Sequence, residues 1–324
     1  MAEKMKMDRV GVVGLGLLGS DIVALILSRG LNVAAVDVNA AAIDKLPQRI
    51  SDALDELIEH AGFQSSDFDG WQDRLEISDD FAGLSDCDFV IESVFEDAEI
   101  KKTVFATIEE IVSEKTPIAS NTSALPISEM QLTLNQPDRF LGMHFGQPAY
   151  AQPFLEIIRG KQTGDAAFNT ANQLALLLGK EPSLLNRDLP GFVVNRIAYA
   201  MYREAANLVS EGVADYESID NAVRNSIGIF ASMAGPFRWM DISGGPALYG
   251  QGMKTIWPTL DHSSDPPKFI QEMMDNDDHG TASGKGFYEY QDGDAEKWDK
   301  AFREHVWRLL KMRREEENQQ DFPK

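Results

Sequence analysis

The run Arg9-Val10-Gly11-Val12-Val13-Gly14-Leu15-Gly16-Leu17-Leu18-Gly19 decides the fold. Its valine-rich first half reads as a buried strand, and glycines at 14, 16 and 19 follow it directly. A helical pattern from Asp21 to Arg29 comes next, and the following strand candidate ends in Asp37, 18 residues beyond Gly19. A Gly-x-Gly-x-x-Gly turn between strand and helix has a physical reading. Gly14 permits the tight turn, Gly16 lets the backbone approach a pyrophosphate, and Gly19 lets helix and strand pack closely. Leu17 and Leu18 open the helix, where backbone N–H groups and the positive end of the helix dipole face phosphate. Asp37 is placed for the adenine-ribose hydroxyls, and its charge repels the extra phosphate of NADP, so the expected cofactor is NAD. Asp21, in the first turn of the helix, receives no role.

Outward from this run, strand candidates recur at Arg9 to Leu15, Asn32 to Val38, Leu75 to Ser78, Asp88 to Ser93, Pro117 to Thr122, Arg139 to Phe145, Phe154 to Gly160 and Glu181 to Asn186. Helical patterns separate them, the clearest from Asp97 to Glu114, with Ile100, Val104, Ile108, Ile111 and Val112 as its apolar stripe. Such alternation predicts an α/β fold, a Rossmann-type doubly wound and mainly parallel sheet. Beyond Asp188 strands give way to helices at Phe192 to Ser210, Tyr216 to Ser226, Pro236 to Leu248, Pro267 to Met274 and about Ala295 to Glu316. We therefore expect a dinucleotide-binding domain over 1–188, an all-α substrate and dimerisation domain over 189–290, and a helical extension over 291–324.

The composition excludes several function classes. Of 324 residues, 52 are Asp or Glu and 30 are Lys or Arg, a net charge of −22 that repels nucleic acid and anionic membrane. A single cysteine, Cys87, allows neither an intrachain disulfide nor a multi-cysteine metal site and fits a reducing compartment. No apolar run reaches the ~18 residues of a membrane span. The expectation is a soluble cytoplasmic protein with a small-molecule substrate, without a metal, and assembled as a homodimer.

Polar groups interrupt apolar segments at four places: Ser120-Asn121-Thr122-Ser123, Met143-His144-Phe145-Gly146-Gln147, Phe154-Leu155-Glu156-Ile157-Ile158, and Pro190-Gly191-Phe192-Val193-Val194-Asn195. His144 ends a strand candidate at the sheet's carboxyl edge, where open α/β sheets bind ligands. Glu156, among apolar neighbours, needs a partner if buried, and a carboxylate beside an imidazole fixes its tautomer and raises its basicity. Singly, His144 reads equally as a hydrogen-bonded strand end, and Ser123 or Asn195 as a cap. Beside a nicotinamide site they read as the means of moving a hydroxyl proton.

Taken in order, these segments resemble the L-3-hydroxyacyl-CoA dehydrogenases from Arg9 to about Tyr290. The resemblance rests on Gly14-x-Gly16-x-x-Gly19, Glu92-Ser93-Val94-Phe95-Glu96, Ser120-Asn121-Thr122-Ser123, His144-Phe145, Leu155-Glu156 twelve residues after the histidine, Pro190-Gly191-Phe192-x-x-Asn195-Arg196, Gly235-Pro236-Phe237 and Gly284-x-Gly286-Phe287-Tyr288. It implies hydride transfer between NAD and a secondary alcohol, interconverting 3-hydroxy and 3-keto groups, first of all on a 3-hydroxyacyl-CoA in fatty acid metabolism. It implies His144 as base, Glu156 as its orienting partner, Ser123 and Asn195 on the reacting oxygen or a neighbouring carbonyl, and Glu96 and Lys101 at the nicotinamide half of the cofactor.

The chain departs from that pattern at several points. Gln147 stands where the family has Asn, and Ala282 where it has a lysine. From Ile50 to Asp73, where the family's lysine-containing segment meets CoA phosphates, this chain has Asp52, Asp55, Glu56, Glu59, Asp67, Asp69 and Asp73 without Lys or Arg. Those carboxylates, Pro153 and the Trp298-bearing final helix are similar to the branch acting on small free acids, L-gulonate 3-dehydrogenase, lambda-crystallin and carnitine dehydrogenase. A dehydrogenase of a small non-CoA hydroxy acid is thus the alternative, and a non-catalytic crystallin-like binding protein a further one.

Overall fold

The computed structural model of the chain describes residues 7–318. Eight strands form one sheet: β1 (Arg9–Val13), β2 (Asn32–Val36), β3 (Leu75–Ser78), β4 (Phe89–Glu92), β5 (Ile118–Ser120), β6 (Phe140–Phe145), β7 (Phe154–Ile158) and β8 (Glu181–Leu185). Their spatial order is β3-β2-β1-β4-β5-β6-β7-β8. Every neighbouring pair is parallel except β6 and β7, which run antiparallel. The order reverses beside β1, the switch point at which such sheets open a crevice for a ligand.

Helices α1 (Leu17–Ser28), α2 (Ala40–Ala61), α3 (Ala98–Ile111), a single turn α4 (Ile127–Met130) and α5 (Asp165–Leu177) connect the strands. The central strands are continuous apolar runs because both faces are covered: Val10, Val12, Val33, Phe89, Val90, Ile91, Ile118 and Phe140 are all fully buried. α3 departs from its expected stripe. Ile100 faces out, whereas Phe105 and Ile108 are buried and Phe105 packs edge-on against Phe140, centroids 4.7 Å apart. Asp97 lies before the first turn rather than in it, its side chain accepting from the N–H groups of Glu99 and Ile100 as an N-cap.

The chain divides into two compact units, one ending at Asn195 and one beginning at Arg196. Among the described residues the second is built of helices, α6 (Val194–Ser210), α7 (Tyr216–Ala222), α8 (Gly228–Ala231), α9 (Pro236–Ile242), α10 (Gly245–Ile256), α11 (Lys268–Asp275) and α12 (Asp294–Glu317), with isolated bridges joining Lys285 to Gly280 and Glu289. The expected helix Pro236 to Leu248 is interrupted, because Gly244 at φ 133° ends α9 and a second glycine opens α10. Among the described residues no helix is long and apolar enough to cross a membrane.

Candidate active site

The turn after β1 is built on contacts only glycine allows. Gly14 sits at φ 94° and donates its N–H to the Val36 carbonyl at 2.8 Å, and a Cβ there would lie 2.6 Å from the Ser93 backbone. A Cβ on Gly19 would lie 1.8 Å from the Gly14 carbonyl oxygen, so this helix and turn can only pack this closely without a side chain. Gly16 differs: an added Cβ meets nothing within 4 Å, leaving open space before the N-terminus of α1. Asp37, at the end of β2, accepts from Leu15 N–H (2.6 Å) and Asn39 N–H (2.8 Å). It therefore braces the glycine turn. Arg49 of α2 donates to the Leu15 carbonyl and the Ser20 hydroxyl from the other side. An uncovered helix N-terminus, an open approach at Gly16 and a strand-end carboxylate together fit a dinucleotide.

Three strands away, the antiparallel register sets His144 of β6 opposite Glu156 of β7. Cross-strand partners point to one face, and here the imidazole Nδ1 and Glu156 Oε2 are 2.9 Å apart. Glu156 is 1% exposed and His144 7%. Burial alone pushes the Glu156 carboxyl up, but the bonds from His144 and from the N–H groups of Val194 and Val193 outweigh it and hold it below its usual range. An ionised carboxylate can only accept, so Nδ1 carries a proton, and in the neutral imidazole it is Nε2 that keeps the lone pair.

The Val193 and Val194 N–H groups reach Glu156 Oε1 at 2.9 and 3.0 Å because of the turn before them. Gly191 at φ 76° and Phe192 at φ 49° reverse the chain, and α6 begins with its first N–H groups on the carboxylate. A bulky residue in the left-handed region stores strain, and Phe192 is held there by burial, its ring 5.9 Å from that of His144. Phe154 closes the other side edge-on at 5.7 Å. Asn195, one residue into α6, donates from Nδ2 to the Ser123 carbonyl at 3.1 Å, drawing together the two groups expected on the substrate oxygen.

The profile of "3-hydroxyacyl-CoA dehydrogenase, NAD binding domain" matches residues 9–188, and that of the corresponding C-terminal domain matches 191–290. The chain belongs to the 3-hydroxyacyl-CoA dehydrogenase family. Members of this family are NAD-dependent oxidoreductases, and so is this chain. Among its relatives, the 5-formyl-3-hydroxy-2-methylpyridine 4-carboxylate 5-dehydrogenase of Mesorhizobium japonicum is 32% identical over 87% of this chain and 90% of its own length. A probable 3-hydroxybutyryl-CoA dehydrogenase of Deinococcus radiodurans is 32% identical over 87% of this chain and all of its own. A solved 5-formyl-3-hydroxy-2-methylpyridine 4-carboxylic acid 5-dehydrogenase, an NAD+-dependent dismutase, superposes with a TM-score of 0.88 at 30% identity, covering 97% of this chain and 100% of that one. The (S)-3-hydroxybutyryl-CoA dehydrogenase of Ralstonia eutropha gives 0.75 at 32% identity, over 88% and 100%.

In this family member Glu96 and Lys101 form part of the wall behind Ser123. Glu96 Oε1 accepts from the Thr122 hydroxyl, Ser123 N–H (2.9 Å) and Ala124 N–H (3.2 Å), fixing the turn that carries Ser123. Lys101 is fully buried, its Nζ 2.6 Å from Glu92 Oε1 and 3.3 Å from Glu96 Oε2. Glu92 also accepts from the Ser120 hydroxyl at 2.6 Å. Gln147 is exposed, and its main-chain carbonyl accepts from the Gln152 amide. Sequence reasoning missed Phe154, the N–H pair of Val193 and Val194, and Asn121, whose amide joins Ser93 to Phe145 N–H. An apolar residue two before Glu156 and a Pro-Gly-Phe turn before a helix were the available signals.

Proposed function

We propose that this dehydrogenase interconverts a hydroxyl and a carbonyl group on a small acid that does not carry CoA, with His144 as the general base and acid. The observation that carries the chemistry is the buried His144–Glu156 pair, whose ionised carboxylate fixes the proton on Nδ1 and frees Nε2. In the oxidation Nε2 takes the hydroxyl proton, the carbon–oxygen double bond forms, and the carbon-bound hydrogen leaves as hydride. When bound at the Gly14–Gly19 turn and Asp37, NAD supplies the hydride acceptor. Ser123 and Asn195 hold the reacting oxygen or a neighbouring carbonyl, and Phe154 and Phe192 keep water from the imidazole.

The substrate class rests on charge. Glu56, one of seven carboxylates between Ile50 and Asp73, accepts from the Tyr150 hydroxyl at 2.8 Å, which fastens the acidic helix α2 to the loop leaving His144. A polyanion approaching along α2 meets like charge. The likeness to a free pyridine-carboxylate dehydrogenase over 97% of the chain supports the same reading. A 3-hydroxyacyl-CoA substrate is the second reading, favoured by the Deinococcus and Ralstonia relatives. The span 189–290 is read as a substrate and homodimerisation domain and 291–324 as an extension whose last residues, 319–324, lie outside the described ones, since Ile197, Tyr199, Phe237 and Leu248 leave more than half their surface exposed.

The test is a comparison of NADH oxidation with acetoacetyl-CoA and with free 3-keto acids and pyridine carboxaldehydes, for the wild type and His144→Ala. Turnover of free acids that is abolished in His144→Ala supports the reading. A kcat/KM for the thioester far above that of every free acid overturns the substrate class, and an unchanged His144→Ala overturns the mechanism.

A further inference from the structure

The hairpin that joins the two strands of the dyad is gripped by a buried lysine that the chemistry above does not use. Residues 146–153 connect β6 to β7, leaving two residues after His144 and returning three before Glu156. Within this loop the Ala149 peptide is held on both sides. Its N–H donates to Asp21 Oδ2 at 3.1 Å, and its carbonyl accepts from Lys180 Nζ, which also donates to the Gln152 carbonyl. Asp21 belongs to α1, the helix whose N-terminus faces the cofactor, and Lys180 precedes β8, the strand beside β7. Both side chains are buried, Lys180 to within 5% and Asp21 to within 7% of full burial. Buried charges persist in folded proteins when they have work that a neutral group cannot do, because removing them from water is expensive.

We infer that Lys180 and Asp21 are positioning residues that clamp the 146–153 loop between the cofactor helix and β8, and so hold His144 and Glu156 in register. The inference rests on the dehydrogenase reading of that pair. An ammonium offers three donors and a full charge to the two carbonyls, whereas the neutral amine offers two weaker ones. The groups facing Lys180 are Arg29 and Asp21. Burial and Arg29 push its ammonium down, against the pull of Asp21, to about 7. Because the closed site disfavours the charge, closing the loop around Lys180 becomes easier, not harder, as pH rises above that value.

Two measurements on the full chain test this. The first needs no substrate: hydrogen exchange of the peptide spanning 146–153, corrected for the intrinsic pH dependence of exchange. Protection in the wild type rises as pH rises through about 7, because opening returns Lys180 to water, where it holds its proton more readily. In Asp21→Asn, which keeps the acceptor but removes the charge that supports the ammonium, the onset of that rise moves to lower pH, and in Lys180→Met the loop is unprotected throughout. The second is the single-turnover rate of NADH formation with L-3-hydroxybutyrate and with (S)-3-hydroxybutyryl-CoA. Lys180→Met slows this step about 10- to 100-fold, as misplacement of a catalytic pair does, while the Kd for NAD stays within about twofold. Loop protection indifferent to pH and to Asp21→Asn overturns the clamp whether or not Lys180→Met folds. Protection that responds while the hydride step does not overturns the positioning role. No turnover of either compound counts instead against the proposed substrates, and a His144→Ala variant as active as the wild type against the proposed role of that residue, and in both cases the exchange arm still decides the clamp.

Discussion

His144 and Glu156 are register partners across the one antiparallel pair of an otherwise parallel sheet. The twelve-residue interval between them is thus a hairpin, the loop 146–153 with Phe145 before it and Phe154 and Leu155 after it. A rigid scaffold of this kind holds an imidazole and its orienting carboxylate without relying on a flexible segment. Because Glu156 also collects the first N–H groups of α6, one carboxylate ties the sheet, the base and the helix carrying Asn195 together.

Replacing Glu156 by Gln keeps the shape but removes the charge that orients the imidazole. The amide can accept from His144 or from the α6 N–H groups only through its single carbonyl oxygen, so one set is lost. A general base contributes about 10²- to 10⁴-fold, and loss of its orientation forfeits a large part of that. The expected result is a kcat reduced by about 100-fold or more with the Kd for NAD unchanged, read by steady-state kinetics and a cofactor titration. A fall in both together points to collapse of the fold instead.

The same pair predicts how stability responds to acid. The Glu156 carboxyl lies below its usual value of 4.5 in the folded state, through its bonds to His144, Val194 and Val193 prevailing over burial. A depressed carboxyl stabilises the fold fully above the unfolded value, and that contribution is lost as pH falls through the folded one. Urea unfolding of wild type and Glu156→Gln over a pH series reads this directly. The gap between the two is constant above about 5 and closes only at pH below the ordinary carboxyl range. A gap that closes between neutrality and pH 5 means another group is responsible.

The strands were legible because each central one is a short unbroken apolar run bounded by turn residues, and all eight lie within the expected spans. The dyad was legible because a glutamate at the centre of such a run has to be paired. What could not be read was anything decided by distant chain. Lys101 occupies a helix position facing the core, and a charge there is explained by Glu92, buried at the end of the preceding strand, and by Glu96, pairings that apolar spacing does not reveal. Ile100 was counted in the α3 stripe although it lies exposed, since apolar spacing alone does not mark where a helix leaves its sheet. Asp21 carried no signal because its partner, Ala149, is 128 residues on and contributes only a backbone N–H.

Cofactor choice is expected to depend on Asp37. Its carboxylate stands at the end of β2 with both oxygens engaged by backbone N–H groups of the glycine turn and of Asn39. Asp37→Asn removes the repulsion toward a 2′-phosphate and keeps one acceptor for the turn. Discrimination between NAD and NADP, measured as the ratio of their kcat/KM values, should fall about 10- to 100-fold, which is about 1.4 to 2.8 kcal/mol. An unchanged ratio would show that another group reads the ribose.

The glycines of the turn separate folding from binding. A Cβ on Gly19 collides with the Gly14 carbonyl, which is backbone and cannot swing aside, so Gly19→Ala must push α1 away from β1 and lower the Tm. A Cβ on Gly16 meets nothing in the protein, so Gly16→Ala should melt with the wild type. Its methyl group nevertheless stands in the space through which the backbone would approach a pyrophosphate, and the Kd for NAD should rise about tenfold or more, or about 1.4 kcal/mol. Thermal unfolding and a cofactor titration on the two variants therefore move in opposite patterns, stability lost in one and affinity alone in the other. A Gly16→Ala protein that binds NAD as tightly as the wild type places the pyrophosphate elsewhere than at the helix N-terminus.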